Sequence, residues 1–310
     1  MSHTPLGPGP EFDRIRAIAA VLGADAGHLG DDCTLVSLAK GTLALSIDVS
    51  VEGVHFRREW LSLEEIGWRA TAAALSDLAA KGAGADGVLV ALTVPPGASD
   101  GDAAEVMRGV GAAAGAVRAT VQGGDLSSGP VWSVAVTVFG MVERPVTRAG
   151  ARPGDGLWVT GRLGGAGRAL RAWLAGKLPE ADARSAFAHP EPRIAAGRWL
   201  AAHGATAMLD LSDGLAADAA HLAAASGVQL VVDIASLPLA PGVADPRRAA
   251  EGGEDYELLV SLPSDFAGRE ECLRATGVAL TPIGAVRAGA GVEFSLDDRP
   301  VTLKGFQHFR

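Results

Sequence analysis

The sequence predicts a protein of the α/β (α+β) class with two mixed domains, and three observations lead to this prediction. The length of 310 residues suffices for one large or two ordinary domains. Both halves of the chain alternate strand-like apolar runs with helix-like periodic runs. Residues 143–156, "ERPVTRAGARPGDG", are dense in Pro, Gly and Arg, which indicates a domain boundary. We therefore expect a flexible tail over 1–10, an N-terminal domain over 11–145 and a C-terminal domain over 146–310.

The N-terminal domain is predicted to contain three helices and four strands. Apolar residues at helical spacing predict helices, and alternating or continuous aliphatic runs predict strands. The start of the second helix is marked by Ser62 and Glu65, which have the spacing of a capping box. The glycine-rich stretch "QGGDLSSGP" (122–130) is predicted as a loop. The helices are predicted over 11–22, 62–81 and 99–117, and the strands over 33–38, 43–51, 86–95 and 131–142.

The C-terminal domain restarts the alternation of strands and helices after the boundary. Short strands are expected to close the chain. The other strands are predicted over 157–161, 205–214 and 228–234, and the helices over 165–175, 191–202, 214–225 and 264–275.

Composition and charge exclude several classes of protein. The formal net charge of −9 argues against nonspecific nucleic-acid binding, which requires a basic surface. No stretch reaches about 18 uninterrupted apolar residues, so we expect no membrane span. The two cysteines, Cys33 and Cys272, cannot build a disulfide framework, and a reduced cytoplasmic setting fits them. An acidic protein holds an anion only through local cations, backbone N–H groups or bound metal.

Acidic residues stand at the ends of many predicted elements. Taken singly, most have an ordinary explanation as turn residues, and Asp213 could cap the helix that follows it. Asp77 is harder to explain, because the helix dipole disfavours a negative charge late in a helix. Together, several aspartates at element ends are the oxygen ligands that Mg²⁺ prefers. The positions are Asp31 and Asp32, Asp48, Asp77, Asp125, and Asp210 with Asp213.

Familiar nucleotide-binding motifs are missing from the sequence. The chain has no GxxxxGK[ST] pattern and none of the protein-kinase signatures. The glycines of "TGRLGGAGRA" (160–169) precede a predicted helix and could cradle a phosphate, but a structural turn is an equally good interpretation.

A set of motifs, in order, closely resembles the thiamine-monophosphate kinase family, which belongs to the superfamily of aminoimidazole ribonucleotide synthetase. The set runs from residue 30 to the C-terminus, and its specificity comes from the order, since each motif alone is weak. The motifs are "GDDCTLV", "SIDVSVEGVHF", "WRATAAALSDLAAKGA", "VQGGDLSSGP", "TRAGARPGDGLWVTGRLG", "HPEPRIAAG", "MLDLSDGLAADAAHL", "GGEDYELLV" and "GFQHF".

The resemblance implies the fold of that superfamily and transfer of the γ-phosphoryl group of ATP to thiamine monophosphate, assisted by several Mg²⁺ ions. It also implies a homodimer in which the N-terminal sheets pair. The implied metal ligands are Asp32, Ser46, Asp48, Asp77, Asp125, Asp210 and Asp213. The implied nucleotide contacts are Gly124, Asp125, Arg148 and Ser212, and the implied substrate contacts are His55, Glu254 and Phe306.

The implied reaction is a direct in-line transfer without a covalent nucleophile or a general base. The acceptor is already a phosphate anion at neutral pH, so no proton has to be removed from it. Glu254 or Asp255 could face the positively charged ring of the substrate. Two alternatives stay open at this point, namely another ATP-dependent member of the superfamily and a noncatalytic, cation-stabilised nucleotide-binding protein.

Overall fold

The computed structural model describes residues 5–23 and 30–305, and it contains two β-sheets with helices packed on them. The first sheet has five strands and belongs to the first half of the chain, and the second has seven strands and belongs to the second half. The predicted class of two mixed α/β domains is therefore confirmed.

The N-terminal sheet has the strand order β1-β2-β5-β3-β4. Only β3 and β4 pair in parallel, and the other neighbours are antiparallel. One face of the sheet packs on α2, and α3 packs on α2. The elements are α1 (Pro10–Leu22), β1 (Thr34–Ser37), β2 (Thr42–Val51), α2 (Leu63–Ala80), β3 (Gly87–Val94), α3 (Asp100–Ala116), β4 (Thr120–Ser128) and β5 (Ser133–Val142).

The C-terminal sheet has the strand order β12-β11-β8-β10-β6-β9-β7, with one parallel pair, β8 and β11. Its strands are β6 (Gly156–Thr160), β7 (Ala207–Asp210), β8 (Gln229–Asp233), β9 (Leu258–Leu262), β10 (Leu280–Arg287), β11 (Gly291–Leu296) and β12 (Arg299–Val301). Its helices are α4 (Gly165–Leu174), α5 (Ala181–Ala188), α6 (Ile194–Ala202), α7 (Leu215–Ser226), α8 (Pro246–Glu251) and α9 (Arg269–Thr276).

Helix α2 lies at the junction of the two halves. It begins with the predicted capping box, in which the Ser62 hydroxyl accepts from the Glu65 N–H and the Glu65 carboxylate accepts from the Ser62 N–H. Of its 18 residues, 15 are buried, because the helix contacts α3, the N-terminal sheet, α5, α6 and β7. Small alanine side chains allow these neighbours to approach from all sides.

Helix α1 packs on the C-terminal half of the chain. The ring of Phe12 stacks on that of His221 in α7, with 4.1 Å between the centroids. Over the described residues, no helix combines the length and apolarity that crossing a lipid bilayer requires.

The structure corrects several expectations at the level of single elements. The stretch 122–130, predicted as a loop, lies mostly in the edge strand β4 and contributes six of the eight residue pairs that this strand forms with β3. Glycine and serine have low strand propensity, so only the pairing with a neighbouring strand explains the conformation. Helices α5 and α8 were not predicted, and both are short. The helix expected over 264–275 begins only at Arg269.

The contact between α2 and α3 generates a prediction about stability. A Cβ atom on Gly109 of α3 would lie 1.8 Å from the Glu64 carbonyl oxygen, whereas one on Gly111 would meet nothing within 4 Å. We expect Gly109→Ala to destabilise the fold by on the order of 1–3 kcal/mol, because the helices must separate. The matched variant Gly111→Ala is expected to stabilise it by roughly 0.5–1 kcal/mol, since alanine favours the helix.

Thermal unfolding of both variants checks this prediction. Equal melting temperatures for Gly109→Ala and the parent protein would show that the helices do not approach as closely as described.

Candidate functional site

Three carboxylates from distant parts of the chain meet where the two halves of the molecule join. Asp32 precedes β1, Asp77 lies in the last turn of α2, and Asp210 ends β7. One carboxylate oxygen of each residue lies within 4.8 Å of the others. Asp32 and Asp210 are buried, and Asp77 is half-buried. We call these three residues the aspartate triad.

One side of the triad is neutralised by two cations. The ammonium of Lys81 contacts both Asp31 and Asp32, and the Arg148 guanidinium donates from Nε to Asp32 Oδ1 at 2.8 Å and also from Nη2. Burial alone would raise the pKa of Asp32, but Arg148 and Lys81 outweigh it and lower that pKa well below its usual range. Burial likewise opposes the charge of Lys81, and the carboxylates of Asp32 and Asp31 raise its pKa nonetheless.

The other side of the triad has no ion pair among the residues the structure describes. Asp77 accepts a hydrogen bond from the Ser46 hydroxyl on β2. Burial and the nearby charges of Asp210, Asp48 and Asp32 raise the pKa of Asp77 well above its usual range. Burial and the charge of Asp32 raise the pKa of Asp210 to about 7. Both carboxylates therefore gain from a cation placed between them.

The chemistry of this donor set fits a hard divalent cation. All the ligand atoms are carboxylate or hydroxyl oxygens, which Mg²⁺ prefers over nitrogen or sulfur. The spacing of the triad oxygens lets one ion contact more than one carboxylate. Asp32, Asp77 and Asp210, with Ser46 beside Asp77, are the residues that could hold such an ion.

Asp77 and Asp210 of the triad line a polar cavity of about 190 Å³, which we call the acidic cavity. Most of the residues singled out from the sequence reach it, although they come from both halves of the chain. Glu11 of α1 also reaches it, which the sequence analysis did not predict. The predicted residues that line it are Asp48, His55, Asp77, Arg148, Asp210, Ser212, Asp213 and Glu254.

A second cavity of about 430 Å³ adjoins the acidic cavity and shares His55, Ser212 and Glu254 with it. Its walls carry large apolar side chains, among them Trp60 and Phe187. We call it the apolar cavity. Gly305 lines it at the end of the described chain, and Phe306, a predicted substrate contact, lies outside the described residues.

Glu254 is held in place between the two cavities. Its carboxylate pairs with the buried guanidinium of Arg69 and accepts from the Tyr256 hydroxyl at 2.6 Å. Both Glu254 and Tyr256 have positive φ angles, 71° and 51°, a conformation that non-glycine residues seldom adopt. The Glu254 N–H donates to the Ser212 carbonyl at 2.7 Å, which fixes the loop against the loop after β7. His55 is fixed likewise, since its Nδ1 accepts from the Val51 N–H at 3.1 Å.

Asp255, the neighbour of Glu254, contacts the start of α4 and not the apolar cavity. Its carboxylate accepts from the Gly164 N–H at 2.8 and 3.0 Å, at the start of α4. The glycine-rich stretch 160–169 therefore has its helix N-terminus occupied by a side chain of the protein, which supports the interpretation as a structural turn. Of the two carboxylates considered for the substrate ring, only Glu254 lines the apolar cavity.

Two of the residues predicted for the site lie far from the others. Gly124 and Asp125 lie on the exposed edge strand β4. The register runs from Asp48 through Val136 and Val90 to Gly124, which is three strand spacings, or about 14 Å. Asp125 stands opposite the exposed Ala91, on the face of the sheet that points away from α2.

The expected capping role of Asp213 is wrong. The residue before α7 is Gly214, and no side chain caps that helix. The Asp213 N–H instead donates to the buried carboxylate of Asp218 at 3.1 Å, which orients the loop that lines the acidic cavity.

Sequence reasoning missed Lys81, Arg69 and Tyr256. Lys81 resembles an ordinary basic residue at a helix C-terminus, and Tyr256 stands between two acidic residues. A positively charged residue in a mostly apolar stretch of a helix, as Arg69 is, was the available signal, because such a residue needs a buried partner.

The chain is similar to known proteins over most of its length. Two family models match the chain, the N-terminal domain of AIR synthase related protein over residues 30–142 and its C-terminal domain over residues 152–297. The chain is 38% identical to the thiamine-monophosphate kinase of Halobacterium salinarum over 300 residues, covering 94% of this chain and 99% of that protein. It is 36% identical to the thiamine-monophosphate kinase of Escherichia coli strain K12, and the match covers 96% of this chain and 95% of that protein.

A solved structure described as AaThiL complexed with AMPPCP and TMP is also similar. It has a TM-score of 0.86 and 32% sequence identity, and the match covers 97% of both chains.

Proposed function

Because the chain belongs to the thiamine-monophosphate kinase family, with two AIR synthase related domains, we propose that it transfers the γ-phosphoryl group of ATP to thiamine monophosphate. The products are thiamine diphosphate and ADP. The observation that carries this proposal is the acidic cavity beside the apolar cavity, with Glu254 between them. A related structure with AMPPCP and TMP supports the same two substrates.

The two cavities suit the two parts of the acceptor. Thiamine monophosphate has an organic ring system with a positive thiazolium and a negatively charged phosphate. The apolar cavity offers Trp60 and Phe187 to the rings and Glu254 to the positive charge. The phosphate then lies toward the acidic cavity, where Arg148 and Ser212 are donors.

The transfer itself is proposed to be direct and in line. Phosphoryl transfer depends on alignment and on electrostatic stabilisation more than on covalent chemistry. The acceptor phosphate has no proton to lose at neutral pH, so no residue is needed as a general base. Bound Mg²⁺ ions would neutralise the charge of the two phosphate groups that meet there. The residues proposed to hold them are Asp32, Ser46, Asp48, Asp77, Asp210 and Asp213.

We propose that the reaction takes place in the cytoplasm, which the two buried free cysteines support, since a reducing compartment keeps them so. The division into domains over 11–145 and 146–310 remains our proposal as well.

Asp77→Asn tests the proposed chemistry. With ATP, Mg²⁺ and thiamine monophosphate, the parent protein is expected to form thiamine diphosphate, measured by chromatography. The variant is expected to lose at least about a hundredfold in kcat, because a neutral amide is a poor Mg²⁺ ligand. It should keep its fold, since burial and the nearby charges of Asp210, Asp48 and Asp32, which raise the pKa of Asp77, disfavour a negative charge at this position.

Exposed Asp265→Asn is the matched control and is expected to have parent activity. Near-normal Mg²⁺-dependent turnover by Asp77→Asn would exclude Asp77 as a ligand. A folded parent protein that binds nucleotide but forms no thiamine diphosphate would exclude the kinase activity and favour a binding role.

Glu254→Gln tests recognition of the positively charged ring. The substitution keeps the shape of the side chain and removes its charge, so we expect the KM for thiamine monophosphate to rise roughly tenfold or more while the KM for ATP stays unchanged. Exposed Glu64→Gln is the control. An unchanged KM for thiamine monophosphate would show that Glu254 does not contact the substrate.

We also propose that the protein is a homodimer formed through the open face of the N-terminal sheet. This face presents large apolar side chains to solvent in the single chain, and Ile47 is 65% exposed. The others are Val36, Val49, Leu89 and Met141. Asp125 lies on the same face, so in the dimer it would serve the acidic cavity of the partner subunit and not that of its own chain.

Mixing two inactive variants tests this arrangement. Asp77→Asn and Asp125→Asn are each expected to be inactive alone. Random exchange of subunits makes half of the dimers mixed, and each mixed dimer has one intact site of two, so activity should return to about a quarter of the parent value. No recovery in a purified mixed dimer would place Asp125 in the site of its own chain, and a monomer in ultracentrifugation would exclude the dimer.

A further inference from the structure

Lys81 is a lysine in an unusual place. Its side chain is fully buried, and it is one of the largest fully buried side chains among the residues that the structure describes. The helix dipole favours a positive charge at the end of α2, but an exposed lysine would satisfy the dipole without losing its hydration. Burial of an ammonium group is costly unless negative charges surround it. The position therefore needs an explanation beyond the helix.

The contacts of Lys81 are those of a cation inside the acidic cluster. Its Nζ contacts one oxygen of Asp31 and Oδ2 of Asp32, while the other oxygen of Asp32 accepts from Arg148. The opposite members of the triad, Asp77 and Asp210, have no ion pair among the described residues. Among the residues that the structure describes, Asp31 and Asp32 thus have built-in cations, whereas Asp77 and Asp210 have none.

We propose that the Lys81 ammonium takes the place of one divalent cation in the acidic cluster, so that the Asp31–Asp32 side binds no metal ion of its own. The inference rests on the proposed metal site, because it concerns how many ions that site takes. Divalent ions then bind on the side of Asp77, Asp210, Asp48 and Asp213, away from Asp31 and Lys81. The charge of Asp32 is shared, since its carboxylate contacts Lys81 and also has an oxygen within 4.8 Å of carboxylate oxygens of Asp77 and Asp210.

Binding of Mn²⁺ alone, measured by the electron paramagnetic resonance signal of the free ion, tests the proposal on the full chain. Lys81→Met removes the charge and keeps a side chain of similar length. We expect this variant to bind one more Mn²⁺ per chain than the parent, or to bind its tightest ion at least about tenfold more strongly. Lys40→Met, on the exposed surface, is the matched control and should bind as the parent does.

Asp31→Asn combined with Lys81→Met provides a second comparison. This double variant removes one negative and one positive charge together, so the additional or tighter Mn²⁺ binding expected for Lys81→Met alone should disappear. Melting temperatures with EDTA and with Mn²⁺ complete the test, because an ion that binds only the folded protein raises the melting temperature. Lys81→Met should melt lower than the parent in EDTA and gain more from Mn²⁺.

The outcomes separate the possibilities. The same Mn²⁺ binding by Lys81→Met and the parent would overturn the proposal and leave Lys81 as a structural ion pair. A variant that is unfolded in EDTA and folds with Mn²⁺ would support it, whereas one that stays unfolded with Mn²⁺ would overturn it. A parent protein that neither binds Mn²⁺ nor forms thiamine diphosphate would refute the proposed function, and that result does not depend on Lys81.

Discussion

Repulsion among closely spaced carboxylates is the constraint on which the rest of the structure depends. The oxygens of Asp32, Asp77 and Asp210 lie within 4.8 Å of one another, in a place that is largely closed to solvent. Such an arrangement costs free energy unless cations or protons compensate it. Lys81 and Arg148 compensate one side, whereas on the other side burial and the neighbouring carboxylates raise the pKa of Asp77 and of Asp210. A complex of metal ion and phosphate can therefore compensate the remaining negative charge of the site.

The architecture around α2 makes this spacing possible. The helix is rich in alanine and is buried on nearly all sides, so that backbone elements from both halves of the chain approach it closely. Gly197 of α6 packs so near the carbonyl of Ala79 that a Cβ atom would lie 2.0 Å from it. The last turn of α2 then brings Asp77 and Lys81 beside the start of β1 and the end of β7. The close packing of small residues thus allows the charged residues of the site to lie near one another.

In the proposed function, the charge around the cavities matches the two parts of the acceptor, a negatively charged phosphate and a positively charged ring. The acidic cavity suits phosphates with their metal ions, and the apolar cavity with Glu254 suits a positively charged aromatic ring. Arg69 and Tyr256 hold Glu254 at this boundary, at the cost of two strained backbone conformations. Strain of this kind persists only where the surroundings fix it. Here the support comes from the ion pair with Arg69 of α2 and from the backbone N–H groups of Glu254 and Tyr256, which donate to the carbonyls of Ser212 and Leu211.

The sequence by itself determined the fold class, most element positions, the capping box of α2 and the family, because these depend on local periodicity and on motif order. The sequence also identified the aspartates as candidate metal ligands, since their positions at the ends of predicted elements can be read from it. Only the tertiary structure decided which of them meet. In the structure, the carboxylates of Asp32, Asp77 and Asp210 lie close together. Asp125 lies on the opposite face of the sheet, and the Asp255 carboxylate accepts a hydrogen bond at the start of α4. The structure also revealed Lys81 as a buried cation, because burial and ion pairing arise from contacts between residues far apart in sequence, which no local pattern encodes.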